Sequence, residues 1–118
     1  HLRKTGALIE ASVLAGAICG EANTRQIEAL GRFSRNIGLA FQVMDDVLDV
    51  TASSETLGKT AGKDIAAGKS TYVACMGVDA ASAYANDLLN EALALLSPFG
   101  QAAEALIALS KLLVHRKN

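Results

Sequence analysis

The sequence predicts an all-α protein, and three observations support that fold class. Apolar residues recur at three- and four-residue spacing along most of the 118-residue chain. No segment shows the sustained alternation of apolar and polar residues that is typical of a strand. Hydrophobic residues make up 51% of the sequence and charged residues 19%, a balance that suits one globular unit with a buried core.

Two helices are predicted in the first half of the chain. The first covers residues 5–19 and ends in a turn. The second covers residues 24–50 and begins with Asn23 as its cap, followed three residues later by Gln26, which is the pattern of a capping box. Helical spacing assigns six apolar residues to its buried face: Ile27, Leu30, Ile37, Phe41, Met44 and Leu48.

An irregular loop is predicted after the second helix, because the apolar pattern stops at Thr51. Three glycines mark this loop: Gly58, Gly62 and Gly68. Helix is expected to resume at three places: near residue 70, after residue 79 and after the break at Pro98.

Composition argues against several classes of protein. A net charge of −1 and a pI near 6.1 disfavour a general nucleic-acid binder. No uninterrupted apolar run reaches the length of a membrane span, because Glu10 and Pro98 break the candidates. Cys19 and Cys75 are isolated in apolar surroundings, so we expect buried free thiols rather than a disulfide or a zinc site.

The acidic end of the second helix carries the strongest chemical signal. Three carboxylates and an amide share one side of it: Gln42, Asp45, Asp46 and Asp49. Asp45 and Asp49 are one turn apart, about 6 Å, where two bare carboxylates would repel by roughly 3 kcal/mol in a medium of dielectric about 20. A bound Mg²⁺ relieves such repulsion, since it binds through one or two carboxylates together with water and phosphate oxygens. The alternative is a solvated helix face, which the apolar residues directly before the acids disfavour.

The glycine-containing loop adds a second signal, because lysines follow its glycines: Lys59, Lys63 and Lys69. Ammonium groups suit an anion, and a diphosphate bridged to Mg²⁺ by carboxylates needs positive charge on its far side. A nucleotide P-loop is excluded, since five residues separate Gly62 from Gly68 where that motif has four, and no strand precedes it. A flexible, solubilising loop remains the alternative.

Several short motifs follow one another in the order of a known family. They are Lys4-Thr5-Gly6-Ala7-Leu8, Gly38-Leu39-Ala40-Phe41-Gln42, Asp45-Asp46-Val47-Leu48-Asp49, Leu57-Gly58-Lys59-Thr60, Gly68-Lys69-Ser70-Thr71-Tyr72 and Arg116-Lys117-Asn118. Over essentially its whole length the chain resembles the C-terminal portion of the trans-isoprenyl diphosphate synthases, which include farnesyl and geranylgeranyl diphosphate synthases. The resemblance implies that residues 1–118 are the C-terminal helices of one polyprenyl synthase domain, an isoprenoid synthase-type helical bundle. Residues 60–64 and the turn at 98–100 are most like geranylgeranyl-type members.

The resemblance implies a reaction and a role for each matching residue. Isopentenyl diphosphate would be joined to an allylic diphosphate (dimethylallyl, geranyl or farnesyl) by Mg²⁺-assisted ionisation with release of pyrophosphate. Asp45 would bind one Mg²⁺ directly, and Asp46 and Asp49 would hold its water shell. The implied diphosphate-binding residues are Lys4, Lys59 and Lys69 for the allylic substrate, and Arg116 and Lys117 for isopentenyl diphosphate. The Lys4 carbonyl, Thr5 and Gln42 would surround the carbocation with oxygen dipoles. A frayed, solvated terminus is the alternative for Arg116 and Lys117.

The resemblance also implies that the site is shared with another segment. The chain begins with His1 in what resembles the interior of a longer polypeptide, and it lacks the family's first aspartate-rich motif. We therefore expect an N-terminal portion to complete the site and the 118 residues alone to be inactive. A homodimer is expected, in the cytoplasm or, if a transit peptide has been removed, in a plastid; the choice between farnesyl and geranylgeranyl products stays open. The alternative function is a non-catalytic helical partner subunit, which would be expected to lose carboxylates that this chain retains.

Overall fold

The structure, a computed structural model, describes residues 2–57 and 72–116, and every regular element in those two ranges is helical. The elements are α1 (Leu2–Cys19), α2 (Thr24–Leu57), α3 (Tyr72–Met76), α4 (Val78–Leu95), a 3-10 segment (Ser97–Ala103) and α5 (Glu104–Val114). The all-α prediction is confirmed.

The start of α2 is set by the predicted capping box. The backbone N–H of Gln26 donates to Asn23 Oδ1 at 2.8 Å, and the backbone N–H of Asn23 donates to Gln26 Oε1 at 2.9 Å. Each side chain thereby satisfies a backbone donor that has no partner within the helix. The reciprocal pair explains why the helix begins at Thr24, as the sequence predicts.

The predicted end of α2 is wrong by about two turns. The helix continues past Val50 to Leu57, although the apolar pattern stops near Thr51. Loss of the apolar pattern indicates that side chains are no longer buried; it does not indicate that the helix ends. No glycine or proline lies between Val50 and Gly58. The Thr51 hydroxyl donates to the Val47 carbonyl at 2.7 Å, so the helix accommodates this polar residue.

Helix α2 is the central element and packs between α1 and α4. Helix α1 runs antiparallel to α2, since Leu14 lies near Gly31, Glu10 contacts Arg35, and Gly6 lies near Gly38. On the α4 side, Asn36 contacts Glu91. The core lies mainly between α2 and α4, where small alanines of α4 let the helices approach closely. Its buried residues from these two helices are Phe33, Ile37, Ala40, Val43, Val47, Ala81, Ala85, Leu88, Leu89 and Ala92.

The buried face of α2 differs from the predicted stripe. Of the six predicted residues only Ile37 is fully buried, and the other five are half-buried. The core positions are instead Phe33, Ala40, Val43 and Val47. The buried face differs because α1 and α4 cover α2 on two sides. The predicted stripe would be correct for a helix with one neighbour.

The thiols are also placed differently from the prediction. Cys19 and Cys75 are free, as expected, but both are exposed rather than buried. Cys19 is the last residue of α1, and Cys75 lies in the five-residue α3, whose buried residue is Val73. At a helix end and in a short helix, few neighbouring residues are available to cover a side chain.

The C-terminal third turns back along the bundle. Pro98 occupies the first turn of the 3-10 segment, and Gly100, with φ of 59°, breaks it where a side chain would be strained. Helix α5 then returns toward α2 and α4. By length and composition no single helix in the described ranges could cross a membrane; one pair, Val78–Leu95 with Ser97–Val114, passes that test only when taken together across an 87° bend.

The contact between α1 and α2 depends on two facing glycines. A Cβ built on Gly38 would lie 3.3 Å from the Cα of Gly6, which is backbone and cannot rotate away. A Cβ built on Gly31, two turns earlier on α2, would meet the guanidinium end of Arg35 at 3.4 Å, which can move. The spacing of α1 and α2 is therefore set at Gly38.

We expect Gly38→Ala to lower the free energy of unfolding by about 1–2 kcal/mol. Overpacking costs about 1–3 kcal/mol, and the better helix propensity of alanine returns at most about 1 kcal/mol. Gly31→Ala is the matched control and should be neutral or stabilising, since it gains the same propensity without meeting backbone. Urea unfolding of the natural polypeptide that carries this chain measures both; equal changes in the two variants would contradict a special contact at Gly38.

Candidate functional site

The acidic stripe occupies the face of α2 that points away from the core. Asp45 and Asp46 are half-buried and Asp49 is exposed. On the other side of the helix Val43 and Val47 are buried, so the helix is fixed in rotation and the three carboxylates cannot turn into the core. The predicted common side of these acids is confirmed.

Asp45 forms an ion pair with Arg116, the last described residue at the C-terminal end. Nη2 of Arg116 donates to Asp45 Oδ1 at 2.5 Å, and the two side chains are 23% and 27% exposed. The guanidinium carbon lies 4.1 Å from the centroid of the Phe41 ring, a cation–π contact. Phe41 and Asp45 are one helical turn apart, so both reach the same cation.

The segment that carries Arg116 is held at its base. His115 Nε2 lies 2.7 Å from Asn86 Oδ1 on α4, and Asn86 Nδ2 donates to the Ser82 carbonyl at 3.1 Å. Since the amide nitrogen of Asn86 is occupied as a donor, its oxygen accepts from a protonated Nε2. Nη1 of Arg116 also donates to the Leu113 carbonyl at 3.1 Å. These contacts attach the end of α5 to both α4 and α2.

Asp46 contacts the start of α3. Its Oδ2 accepts a hydrogen bond from the backbone N–H of Tyr72 at 3.1 Å. Tyr72 is the residue at which the described chain resumes, and its ring packs against Tyr84 of α4 with centroids 6.2 Å apart. Asp46 therefore joins the acidic stripe to the start of α3, which follows the predicted lysines in the sequence.

Gln42 lies on an open groove between α1 and α2. The groove has a volume of about 280 Å³, and its lining includes Arg3 and Gly6 at the start of α1. Lys4 and Thr5, which lie between them in sequence, are exposed and half-buried respectively. The structure thus brings Gln42 to the same end of the helix pair as the two residues that the resemblance groups with it.

Four predicted lysines lie outside the described residues: Lys59, Lys63, Lys69 and Lys117. Among the described ones, the structure joins Arg116 directly to Asp45, a contact that sequence reasoning did not anticipate. The spacing of Phe41 and Asp45 is the one signal that could have indicated a shared cation. Nothing in the sequence pointed to the contacts of His115 or Tyr72.

The acidic stripe suits a hard cation that takes only one or two of its ligands from the protein. No group of three metal-ligating side chains converges among the residues that the structure describes, so an all-protein cage is not formed by them. Each observed contact of Asp45 and Asp46 uses one of the two oxygens of its carboxylate. Mg²⁺ commonly takes one or two carboxylates and completes its shell with water and phosphate oxygens, and these carboxylates suit that mode.

The chain matches one protein-family model and is similar in sequence to many known proteins. Residues 1–109 match the family model described as Polyprenyl synthetase. The chain is 50% identical over 119 aligned residues to "Geranylgeranyl pyrophosphate synthase, chloroplastic" of Catharanthus roseus, an alignment that covers 100% of the chain. It is 50% identical over 117 residues, 98% of the chain, to "Geranylfarnesyl diphosphate synthase, chloroplastic" of Leucosceptrum canum. It is 49% identical over 119 residues, 100% of the chain, to "Heterodimeric geranylgeranyl pyrophosphate synthase large subunit 1, chloroplastic" of Arabidopsis thaliana.

The alignments cover only part of each relative. The matched regions are 33%, 32% and 32% of these three proteins. The chain therefore spans about a third of the length of the curated relatives that it matches.

Proposed function

The chain belongs to the polyprenyl synthetase family, and from that premise we propose that it forms part of the active site of a trans-prenyltransferase. The substrates would be isopentenyl diphosphate and an allylic diphosphate. The observation that carries the proposal is the stripe on α2, where Asp45 meets a cationic side chain, Arg116, at 2.5 Å. A face that holds carboxylates and a guanidinium together can bind both a metal and a diphosphate.

In the proposed reaction the allylic C–O bond breaks, and both of its electrons leave on pyrophosphate. The double bond of isopentenyl diphosphate then attacks the carbocation, and loss of a proton leaves a chain five carbons longer. Bound Mg²⁺ would neutralise the charge that develops on the leaving group. Asp45 would hold it directly, and Asp46 and Asp49 would orient its water shell.

The chain's own cations and dipoles complete the proposed site. Lys4, Lys59 and Lys69 would bind the allylic diphosphate from the side opposite the carboxylates. Oxygen atoms of Thr5, Gln42 and the Lys4 backbone would face the carbocation; Gln42 on the groove beside Gly6 supports this grouping. The proposed contacts to isopentenyl diphosphate are Arg116 and Lys117.

The relatives guide the proposed product, assembly and location. Two of the three relatives are named geranylgeranyl synthases and one a geranylfarnesyl synthase, so we propose a geranylgeranyl product rather than farnesyl. A homodimer remains the proposed assembly. One relative is named as the large subunit of a heterodimer, so a hetero-oligomer is the second candidate. A non-catalytic subunit is disfavoured because all three carboxylates of the stripe are retained. These three relatives are named chloroplastic, so the plastid is proposed rather than the cytoplasm.

A product assay tests this proposal. The natural polypeptide that carries the chain is incubated with Mg²⁺, isopentenyl diphosphate and, in turn, dimethylallyl, geranyl or farnesyl diphosphate. We expect longer E-prenyl diphosphates, with geranylgeranyl diphosphate as the end product, and no product from the 118 residues alone, because a single wall of charge does not neutralise a leaving pyrophosphate. No product with any allylic substrate would overturn the function, and product from the isolated segment would overturn the shared site.

A further inference from the structure

Asp45 already has a cation in this structure. The Arg116 guanidinium contacts Asp45 Oδ1 at 2.5 Å and stacks on Phe41 at 4.1 Å from the ring centroid. Its side chain is 23% exposed, so the contact is largely shielded from water. The repulsion expected between the neighbouring acids is therefore relieved inside the protein.

We propose that Arg116 is a resident counter-ion of Asp45, which leaves that carboxylate when a divalent cation binds there and so sets the metal affinity of the site. The inference rests on the proposed role of Asp45 as a metal ligand. In this proposal Arg116 pairs with Asp45 before the metal and the substrates bind.

The two cations compete because they would share one carboxylate. A ligand oxygen lies about 2.0–2.1 Å from Mg²⁺, and Oδ1 lies 2.5 Å from the guanidinium nitrogen. Whichever oxygen of Asp45 a divalent ion takes, it would lie within roughly 7 Å of that nitrogen, where like charges repel in a partly buried site. Occupation of the carboxylate by the metal therefore favours release of Arg116.

The backbone next to Arg116 is anchored, so the released side chain stays near the site. His115 is held by Asn86 of α4, and its backbone N–H donates to the Lys111 carbonyl at 2.9 Å. Release from Asp45 thus requires only the Arg116 side chain to move. Phe41 can keep the guanidinium at the site while it turns toward an anion, because the ring contact does not depend on Asp45.

The test is a titration of the metal-free natural polypeptide with Mn²⁺ as the probe and no diphosphate present. Electron paramagnetic resonance of the free ion reports binding. We expect Arg116→Gln to bind Mn²⁺ about tenfold more tightly than the wild type, since the metal no longer displaces an ion pair and a cation–π contact. Arg116→Lys should give a smaller gain, because it keeps the charge but loses the planar stack.

Arg35→Gln is the matched control. Arg35 of α2 also forms an ion pair, with Glu10 of α1 at 3.0 Å, but its side chain is 60% exposed. It is about 15 Å from Asp45 along the helix axis, so its removal should leave Mn²⁺ affinity unchanged. Thermal melting without metal identifies folded variants; if Arg116→Gln does not fold, the Arg116→Lys comparison decides the direction of the shift.

The outcomes separate this inference from the proposed function. If folded Arg116 variants bind Mn²⁺ as tightly as the wild type or more weakly, while Asp45→Asn still loses binding, Arg116 is not the counter-ion. The proposed metal site would then be retained. Binding that Asp45→Asn does not change would overturn both. As an independent readout, the Arg116 Nε resonance should shift when Mg²⁺ is added to ¹⁵N-labelled protein while that of Arg35 does not; an unmoved Arg116 signal would overturn the displacement.

Discussion

Replacing Asp45 with asparagine is expected to lower kcat/KM for prenyl transfer by about a thousandfold, on the scale of losing a group that stabilises transition-state charge. Asparagine keeps an oxygen that can accept from Arg116, so the packing around α5 is preserved. It loses the negative charge that a hard cation requires. Steady-state kinetics of the natural polypeptide with isopentenyl and geranyl diphosphates at saturating Mg²⁺ measure the loss.

A binding experiment separates the metal from folding defects. Mg²⁺ with an unreactive diphosphate analogue should raise the melting temperature of the wild type, because a ligand at a hundred times its Kd adds about 2.7 kcal/mol of stability. Asp45→Asn should lose most of that shift. Asp87→Asn, which removes an exposed carboxylate of α4, should keep both the shift and the activity. An unchanged shift in Asp45→Asn would remove Asp45 from the metal site.

Asp46→Ala is expected to lower kcat/KM by about ten- to a hundredfold, the range reported for groups that support metal ligands from outside. Asp46 accepts the Tyr72 N–H at 3.1 Å, and alanine cannot. Loss of this bond releases the start of α3 from α2. Kinetics give the activity, and hydrogen exchange of the Tyr72 amide gives the contact, which should exchange faster in the variant.

Asp46→Asn distinguishes the hydrogen bond from the charge. The asparagine oxygen can still accept from the Tyr72 N–H, so we expect this variant to recover most of the activity and the slow exchange of that amide. Equal losses in Asp46→Asn and Asp46→Ala, with the Tyr72 amide still protected in the former, would show that Asp46 contributes through its charge.

Most of the fold could be predicted because it depends on interactions between near neighbours. The capping box of Asn23 and Gln26 involves residues three apart, and the common side of Asp45, Asp46 and Asp49 follows from helix geometry alone. The end of α2 was predicted wrongly, because periodicity reports burial and the last turns of α2 remain helical beyond the apolar stripe. The thiols of Cys19 and Cys75 were misplaced for a related reason, since apolar neighbours in sequence do not guarantee a covering element.

What the sequence by itself determined is the helical class, the start of α2 and the presence of a carboxylate stripe, all of which are local properties of one helix. Only the tertiary structure decided what each carboxylate contacts. Asp45 meets a side chain 71 residues away and Asp46 a backbone group 26 residues away. Such contacts depend on where the turn at Gly100 and the packing of α4 and α5 return the chain, and helix periodicity carries no information about the position of a distant segment.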